Sequence, residues 1–282
     1  MTDDRRRISR RRFLGITGTT VAAALGEGFL REPTAIAVSR HDLVVPGLAP
    51  ALAGLRVACL SDVHLHGGVS RAARAASERL AHERPDVVVL AGDVCNRRSD
   101  LPHLSAWARE ALGTRATFAT LGNWEHDAGI DRATAAGAYG RSGVELLYNS
   151  RGRVVVGGAA LTIVGIDDPV LGEPDVAAAV ATLAAGDPAL WVVHAPGFVD
   201  TIPRGVYPQP LAVLAGHTHG GQVRLPFWTP YTPEGSGRFV AGWYRDTLAP
   251  LYVTRGIGTV VLPARFCSPP ELAIFTLVSG RS

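Results

Sequence analysis

Leu211-Ala212-Val213-Leu214-Ala215-Gly216-His217-Thr218-His219-Gly220-Gly221-Gln222 is the stretch on which the reading of this chain turns. An apolar run stops at a glycine, and two histidines separated by one residue follow. In an extended segment the side chains at i and i+2 project to the same side, so both imidazoles are expected to face one point. The flanking glycines let the backbone turn around that point. Neutral imidazole is a common metal ligand. Taken alone, the segment is equally a glycine-rich loop with two solvated histidines.

The segments upstream decide between the two. Residues 55–60 read as a strand that ends in Ser61-Asp62-Val63-His64-Leu65-His66. Residues 70–84 read as an Ala-rich helix with Ser70 as its N-cap, and Pro85 breaks it. Residues 86–90 form an apolar strand ending in Ala91-Gly92-Asp93, followed by a helix over 102–112. Residues 116–121 form a third strand, ending in Gly122-Asn123-Trp124-Glu125-His126, followed by a helix over 131–139. Strand, polar cluster and returning helix, repeated, are the mark of an α/β fold with a buried, mostly parallel sheet. In such sheets ligands sit beyond the carboxyl ends of the strands, where each polar cluster falls.

The second half is richer in strands. Residues 145–148, 153–156 and 160–166 read as a meander, 175–185 as a helix, and 190–193 as a strand ending in His194. A short helix is expected over 197–202 and further strands over 211–215, 222–225, 251–255 and 271–278. Residues 226–246, rich in Pro, Gly and aromatics, read as a long ordered loop of the kind that is often functional. Cys59 reads as a core residue; whether Cys95 and Cys267 pair is left open.

All 28 basic residues are Arg, and the formal net charge is +3. Residues 1–37 hold seven Arg against four acids, which is the whole of that +3. The remaining chain is neutral, so no nucleic-acid partner is expected. The leader itself is informative. Ser9-Arg10-Arg11-Arg12-Phe13-Leu14-Gly15 precedes a mildly apolar stretch, Ile16 to Leu25, and then Ala35-Ile36-Ala37. This resembles a twin-arginine export signal with a small-X-small cleavage site. The expected organisation is therefore a signal over 1–37, a lead-in over 38–54 and one domain over 55–282. The expected partner in export is the twin-arginine translocase, and the expected location is the periplasm, cell wall or outer face of the cytoplasmic membrane.

Five strand ends thus carry Asp62, His64, Asp93, Asn123, His194, His217 and His219. Oxygen ligands mixed with imidazole suit manganese, iron or zinc. Seven are too many for one tetrahedral ion, so two divalent ions are expected, manganese first among the candidates.

The order D-X-H, G-D, G-N, H, G-H-X-H resembles the calcineurin-like metallophosphoesterase family across residues 55–278. Gly216 to Gln222, with Thr254-Arg255-Gly256-Ile257-Gly258, is similar to a bacterial branch of exported or membrane-associated phosphodiesterases, related to UDP-2,3-diacylglucosamine hydrolase. The resemblance implies a four-layer α/β/β/α sandwich with mixed sheets. It implies one ion on Asp62, His64 and His219 and another on Asn123, His194 and His217, with Asp93 bridging. It implies a phosphoesterase that uses metal-activated hydroxide; the export signal makes a small-molecule or lipid phosphoester of the cell envelope the expected substrate. The aromatics Phe227, Trp228, Tyr231, Phe239, Trp243 and Tyr244 either pack onto the domain, line a groove or dip toward lipid in a peripheral membrane contact. A phosphomonoesterase and a catalytically weak metal-binding envelope protein are the competing readings.

One departure stands out. The family commonly has His after the Gly-Asn pair, and here that residue is Trp124, which cannot transfer a proton. His126 is the catalytic candidate in its place, alongside Asp93, and His66 is a second one. Trp124 and Arg255 are candidate substrate contacts, and Arg224, Arg238 and Arg265 are candidate phosphate contacts because guanidinium pairs bidentately with phosphate.

Overall fold

A computed structural model describes residues 22–225 and 227–280, together with residues 17 and 19. The twin-arginine segment, residues 9–15, lies outside the described residues. Two six-stranded sheets form the body. The first contains β1 (Ala37–Pro46), β2 (Arg56–Leu60), β3 (Val87–Ala91), β4 (Ala116–Thr120), β5 (Glu145–Leu146) and β12 (Glu271–Gly280). The second contains β6 (Ser150–Val156), β7 (Ala159–Gly165), β8 (Ala189–Val193), β9 (Ala212–Ala215), β10 (Gly242–Tyr244) and β11 (Leu251–Val253). Their spatial orders are β1-β12-β2-β3-β4-β5 and β10-β11-β9-β8-β7-β6. Strands β2 to β5 run parallel to one another, as do β7, β8, β9 and β11. β12 runs antiparallel to β2 in the first sheet, and β6 to β7 and β10 to β11 in the second, so both sheets are mixed.

The period of two along each strand builds the layers. On β2, Ala58 and Leu60 face one core, while Val57 and Cys59 face another. The first core lies under helices α1 (Arg71–Glu83), α2 (Leu101–Ala111) and α4 (Arg132–Arg141), through Leu80, Leu104, Trp107 and Tyr139. The second lies between the sheets, where Val89 and Phe275 meet Leu161, Leu190 and Leu214. The third covers the far face of the second sheet with α5 (Val176–Val180) and Phe239. The result is helix, sheet, sheet, helix. Helix starts follow their caps: Ser70 accepts from Ala73 N–H at 3.1 Å, and Asp131 accepts from Thr134 N–H at 2.8 Å.

Several expectations give way. The presumed lead-in holds β1, a ten-residue strand parallel to β12. Its mixed exposure at a sheet edge hides the alternation that would have marked it. The supposed meander is split: β5 pairs with β4 in the first sheet, and the β6–β7 hairpin opens the second. The helix over 175–185 shortens to Val176–Val180. Residues 222–225 make two isolated bridges rather than a strand, and the long loop contains β10. All three cysteines are free.

The segment assigned to the leader is also built in. Ile36 is buried in the first core. Gly28 O accepts from Arg265 N–H at 2.9 Å. The buried Glu32 carboxylate accepts from Cys267 N–H at 3.0 Å and also from Ser268 N–H. A break after Ala37 would cut at the start of β1 and remove these contacts. Glu32→Ala leaves two N–H donors without their acceptor and is expected to cost about 1–3 kcal/mol, read from urea unfolding of the full chain.

Candidate metal centre

Five strands deliver the polar side chains to one place. β2 leads to Asp62 and His64, β3 to Asp93, β4 to Asn123, β8 to His194, and β9 to His217 and His219. Beyond the strands the loops stay laced to one another. Asp62 N–H donates to Gly92 O, His64 N–H to Asp93 O and Gly216 N–H to His194 O, each at 3.0 Å. Asn123 does not sit in a loop; it opens α3 (Asn123–Asp127), which also carries Trp124 and His126.

The expected extended geometry is not what brings these groups together. Asp62, His64, Asp93, His217 and His219 all have φ between 50° and 71°, in the left-handed region. Such backbone costs free energy in a residue with a Cβ and clusters at functional sites. The kinks separate the two histidines of the Gly-His-X-His motif. His219 joins Asp62 and His64; His217 joins Asp93 and His194. They therefore do not face one point, as the i, i+2 argument requires.

Within each trio the candidate ligand atoms lie within 4.8 Å of one another, and all six residues are buried. His64 Nε2 is 3.1 Å from His219 Nε2, which is 3.4 Å from Asp62 Oδ1. Asp93 Oδ2 is 3.1 Å from His194 Nε2 and 3.8 Å from His64 Nε2, so one carboxylate oxygen addresses both trios. Asn123 Oδ1 lies 3.0 Å from His217 Nδ1. The far nitrogens are tethered. His64 Nδ1 donates to Asn96 Oδ1 at 2.6 Å, His194 Nδ1 to Ala91 O at 2.7 Å and His217 Nε2 to Glu234 O at 2.6 Å. Each bond fixes a tautomer and aims the other nitrogen inward.

The electrostatics favour ligand-ready forms. Burial pushes His219 down to about 3, and burial with the neighbouring His194 lowers His217, so both are neutral imidazoles. Burial pushes Asp62 and Asp93 up, but the surrounding imidazoles more than offset it, so both stay anionic. Burial lowers His194 while Asp93 raises it well above its ordinary value. A proton on His194 does there what a cation would do: it neutralises Asp93.

These residues fit a pair of divalent cations. Among the described residues neither Asp62 nor Asp93 has an ion pair with an arginine. Burying two carboxylates this close together, with a single imidazolium beside Asp93, is expensive. All candidate donors are oxygen or imidazole nitrogen, and none is sulfur, which suits hard to borderline metals.

Residues 55–221 match the family described as calcineurin-like phosphoesterase. The chain belongs to that family. It is, by that membership, a metal-dependent phosphoester hydrolase, and its two adjacent Asp/His groups suggest a dinuclear divalent centre. Among similar proteins is the metallophosphoesterase YkuE of Bacillus subtilis (strain 168), 29% identical over 97% of this chain and 99% of that one. The phosphodiesterase YaeI of Escherichia coli (strain K12) is 29% identical over 96% of this chain and 100% of that one. The UDP-2,3-diacylglucosamine pyrophosphatase LpxG of Chlamydia trachomatis is 24% identical over 86% and 89%.

Other expected site residues are placed differently. Arg255 gives Nε to Pro269 O at 2.9 Å and stands 3.4 Å from Glu271 Oε1, so its guanidinium is already engaged. Arg265 is fully buried and donates to the carbonyls of Arg255, Gly258, Ser268 and His219; it braces the loops and is closed to a phosphate. Arg238 pairs with Asp200 and Asp246 on the surface, and Arg224 binds Cys267 O. Trp124 sets its ring edge-on to His64, with centroids 5.4 Å apart. His126 is bonded to Asp167 at 2.8 Å rather than to either trio, and His66 lies 3.7 Å from Asp100 at the surface.

The sequence reading missed Glu125. Its fully buried carboxylate accepts from the N–H groups of Asp93, Val94, Cys95 and Gly122, at 2.7–3.0 Å. It thereby ties the Asp93 turn to the Asn123 turn. Burial, and then the Asp93 charge, pushes its pKa up to about 7, against the pull of those donors. The signal available was an acid three residues after a helix-opening glycine.

Gly122 is required by space alone, since its φ of −116° is ordinary. A Cβ there would stand 2.2 Å from Asp93 Oδ1 and 2.6 Å from Asp93 N. Gly122→Ala is expected to weaken metal binding about 10–100-fold, as losses around the ligands typically do. Metal titration of the purified variant, with its circular dichroism unchanged, would check this.

Proposed function

We propose that this chain is an exported phosphodiesterase with two divalent ions, manganese first among the candidates, acting on a lipid or nucleotide-sugar phosphoester of the cell envelope. The observation that carries the reading is the convergence of two buried Asp/His trios on Asp93 Oδ2. The diester preference is supported by the names of the phosphodiesterase YaeI and the pyrophosphatase LpxG. Export is supported by Arg10-Arg11-Arg12-Phe13-Leu14, through the twin-arginine translocase, to the periplasm, cell wall or outer membrane face.

In this reading Asp62, His64 and His219 hold one ion, and Asn123, His194 and His217 hold the other, with Asp93 shared. When bound, such ions polarise phosphoryl oxygens and acidify water. The chain's own part is to hold that geometry. Trp124 N–H donates to Asp93 Oδ1 at 2.9 Å, and His217 N–H to Asp62 Oδ2 at 3.0 Å, so each carboxylate keeps one orientation. His126 is the proposed proton donor to the leaving group. Its bond to Asp167 raises its pKa above the ordinary 6.5, which favours the protonated form a donor needs. Asp167 holds the ring as a buried anion beside it.

Elemental analysis with hydrolysis of bis-(4-nitrophenyl) phosphate tests the reading. Two ions per chain with diester turnover are expected, and Asp93→Asn should abolish turnover. Two ions with no turnover on any ester would make the chain a metal-binding protein instead, and faster monoester turnover would make it a phosphomonoesterase. For His126, the proton argument gives a direction with pH. Turnover of an alkyl diester, a poor leaving group, should fall as pH rises through the raised His126 pKa. His126→Ala should remove that dependence and slow the alkyl ester about 10²-fold or more, while sparing the nitrophenyl ester. Equal effects on both esters would exclude the role.

A further inference from the structure

The mouth of the metal centre is rimmed by apolar side chains that nothing among the described residues covers. Three hollows surround it. One, of about 300 Å³, runs from His219 past Tyr231 to Val223 and Leu262. The second, of about 310 Å³, shares Val223 and Leu262 and continues to Leu25 and Phe29. The third, of about 240 Å³, shares Phe29 and returns through Leu30 to His64. The hollows therefore join into one belt that touches both His64 and His219. Beside this belt stand side chains wholly in solvent: Val261 is 98% exposed and Phe227 101%. Trp228, Leu225 and Leu30 are exposed as well. A contiguous apolar surface of this kind on a folded chain marks a binding face.

From this surface we infer that the rim seats the protein on a phospholipid bilayer, with the mouth of the metal centre turned toward the headgroups. Three further observations select a bilayer as the occupant. The chain N-terminal to Leu25 issues from the rim itself, and its sequence is apolar from Phe13 onward after six arginines. Glu32, bonded to Cys267 and Ser268, fastens that segment to the loop whose Ser268 Oγ donates to His219 O at 2.9 Å. The segment and the mouth thus share one orientation. Arg71, exposed and without an ion pair among the described residues, lines the third hollow beside His64, where a phosphate headgroup would meet it. Trp228 and Tyr231 supply the amphipathic rings favoured at headgroup depth. No described helix is long and apolar enough to cross a membrane.

The inference deepens the reading of the centre as an envelope phosphodiesterase, naming the surface on which it meets a lipid phosphoester. Co-flotation of the full chain with vesicles of zwitterionic lipid, with and without anionic lipid, tests it. The wild-type chain is expected to float, more strongly with anionic lipid. The double variant Phe227→Asp, Val261→Asp should partition about a hundredfold more weakly, since each change removes an apolar side chain whose burial in the bilayer is worth roughly a factor of ten. Should the double variant fail to fold by circular dichroism, Val261→Asp alone carries the test. Soluble nitrophenyl diester turnover should be unchanged in both. Asp93→Asn should float like the wild type, so loss of catalysis and loss of docking are read separately. Unchanged flotation of the rim variants would overturn the proposal, as would failure of the wild type to float. A dimer in sedimentation that Phe227→Asp dissolves would assign the face to a second copy and overturn it equally.

Discussion

Two carboxylates withdrawn from water, Asp62 and Asp93, are the constraint on which the rest of this molecule depends. Among the described residues neither forms an ion pair with an arginine, and each is ringed by imidazoles. A buried charge of that kind persists only if the surrounding structure overdetermines its place. The fold meets this by ending five strands at one locus and joining the loops beyond them with backbone hydrogen bonds. The two sheets and their three apolar cores supply the rigidity; the loops supply the chemistry.

The rigidity has to oppose local strain. Among the described residues, half of the non-glycine residues with positive φ, five of ten, belong to the two trios. Glycines stand where the strained turns come closest: a Cβ at Gly92 would lie 2.4 Å from His194 Nδ1, and one at Gly216 would lie 2.5 Å from Ser61 Cβ. Glu125 and Arg265 complete the arrangement from beneath, one accepting four backbone N–H groups and the other donating to four carbonyls. An acid fastens the turns around Asp93, and a base fastens those around His219.

The strands that feed the centre were legible because they are continuous apolar runs that stop at polar clusters. Helix α1 was legible for a similarly local reason, through its cap Ser70. What escaped was non-local. β1 is an edge strand whose partner, β12, lies far along the chain, so no pattern within residues 37–46 announces it. Arg265 and Arg255 looked like phosphate contacts because an arginine's sequence neighbours do not reveal that carbonyls from distant loops enclose it. The pairing of His219 with His64, and of His217 with His194, could not follow from a rule for extended backbone, because the backbone there is left-handed. Family resemblance assigned the trios where local geometry pointed elsewhere.

The position of β12 sets the timing of folding. Residues 271–280 do not add to an edge; they lie between β1 and β2 and pair with both. β1 therefore waits, unpaired on its inner side, for a strand made much later. The first sheet cannot close piecemeal during synthesis. Until residues 271–280 emerge, the turn carrying Asp62 rests on an unfinished sheet.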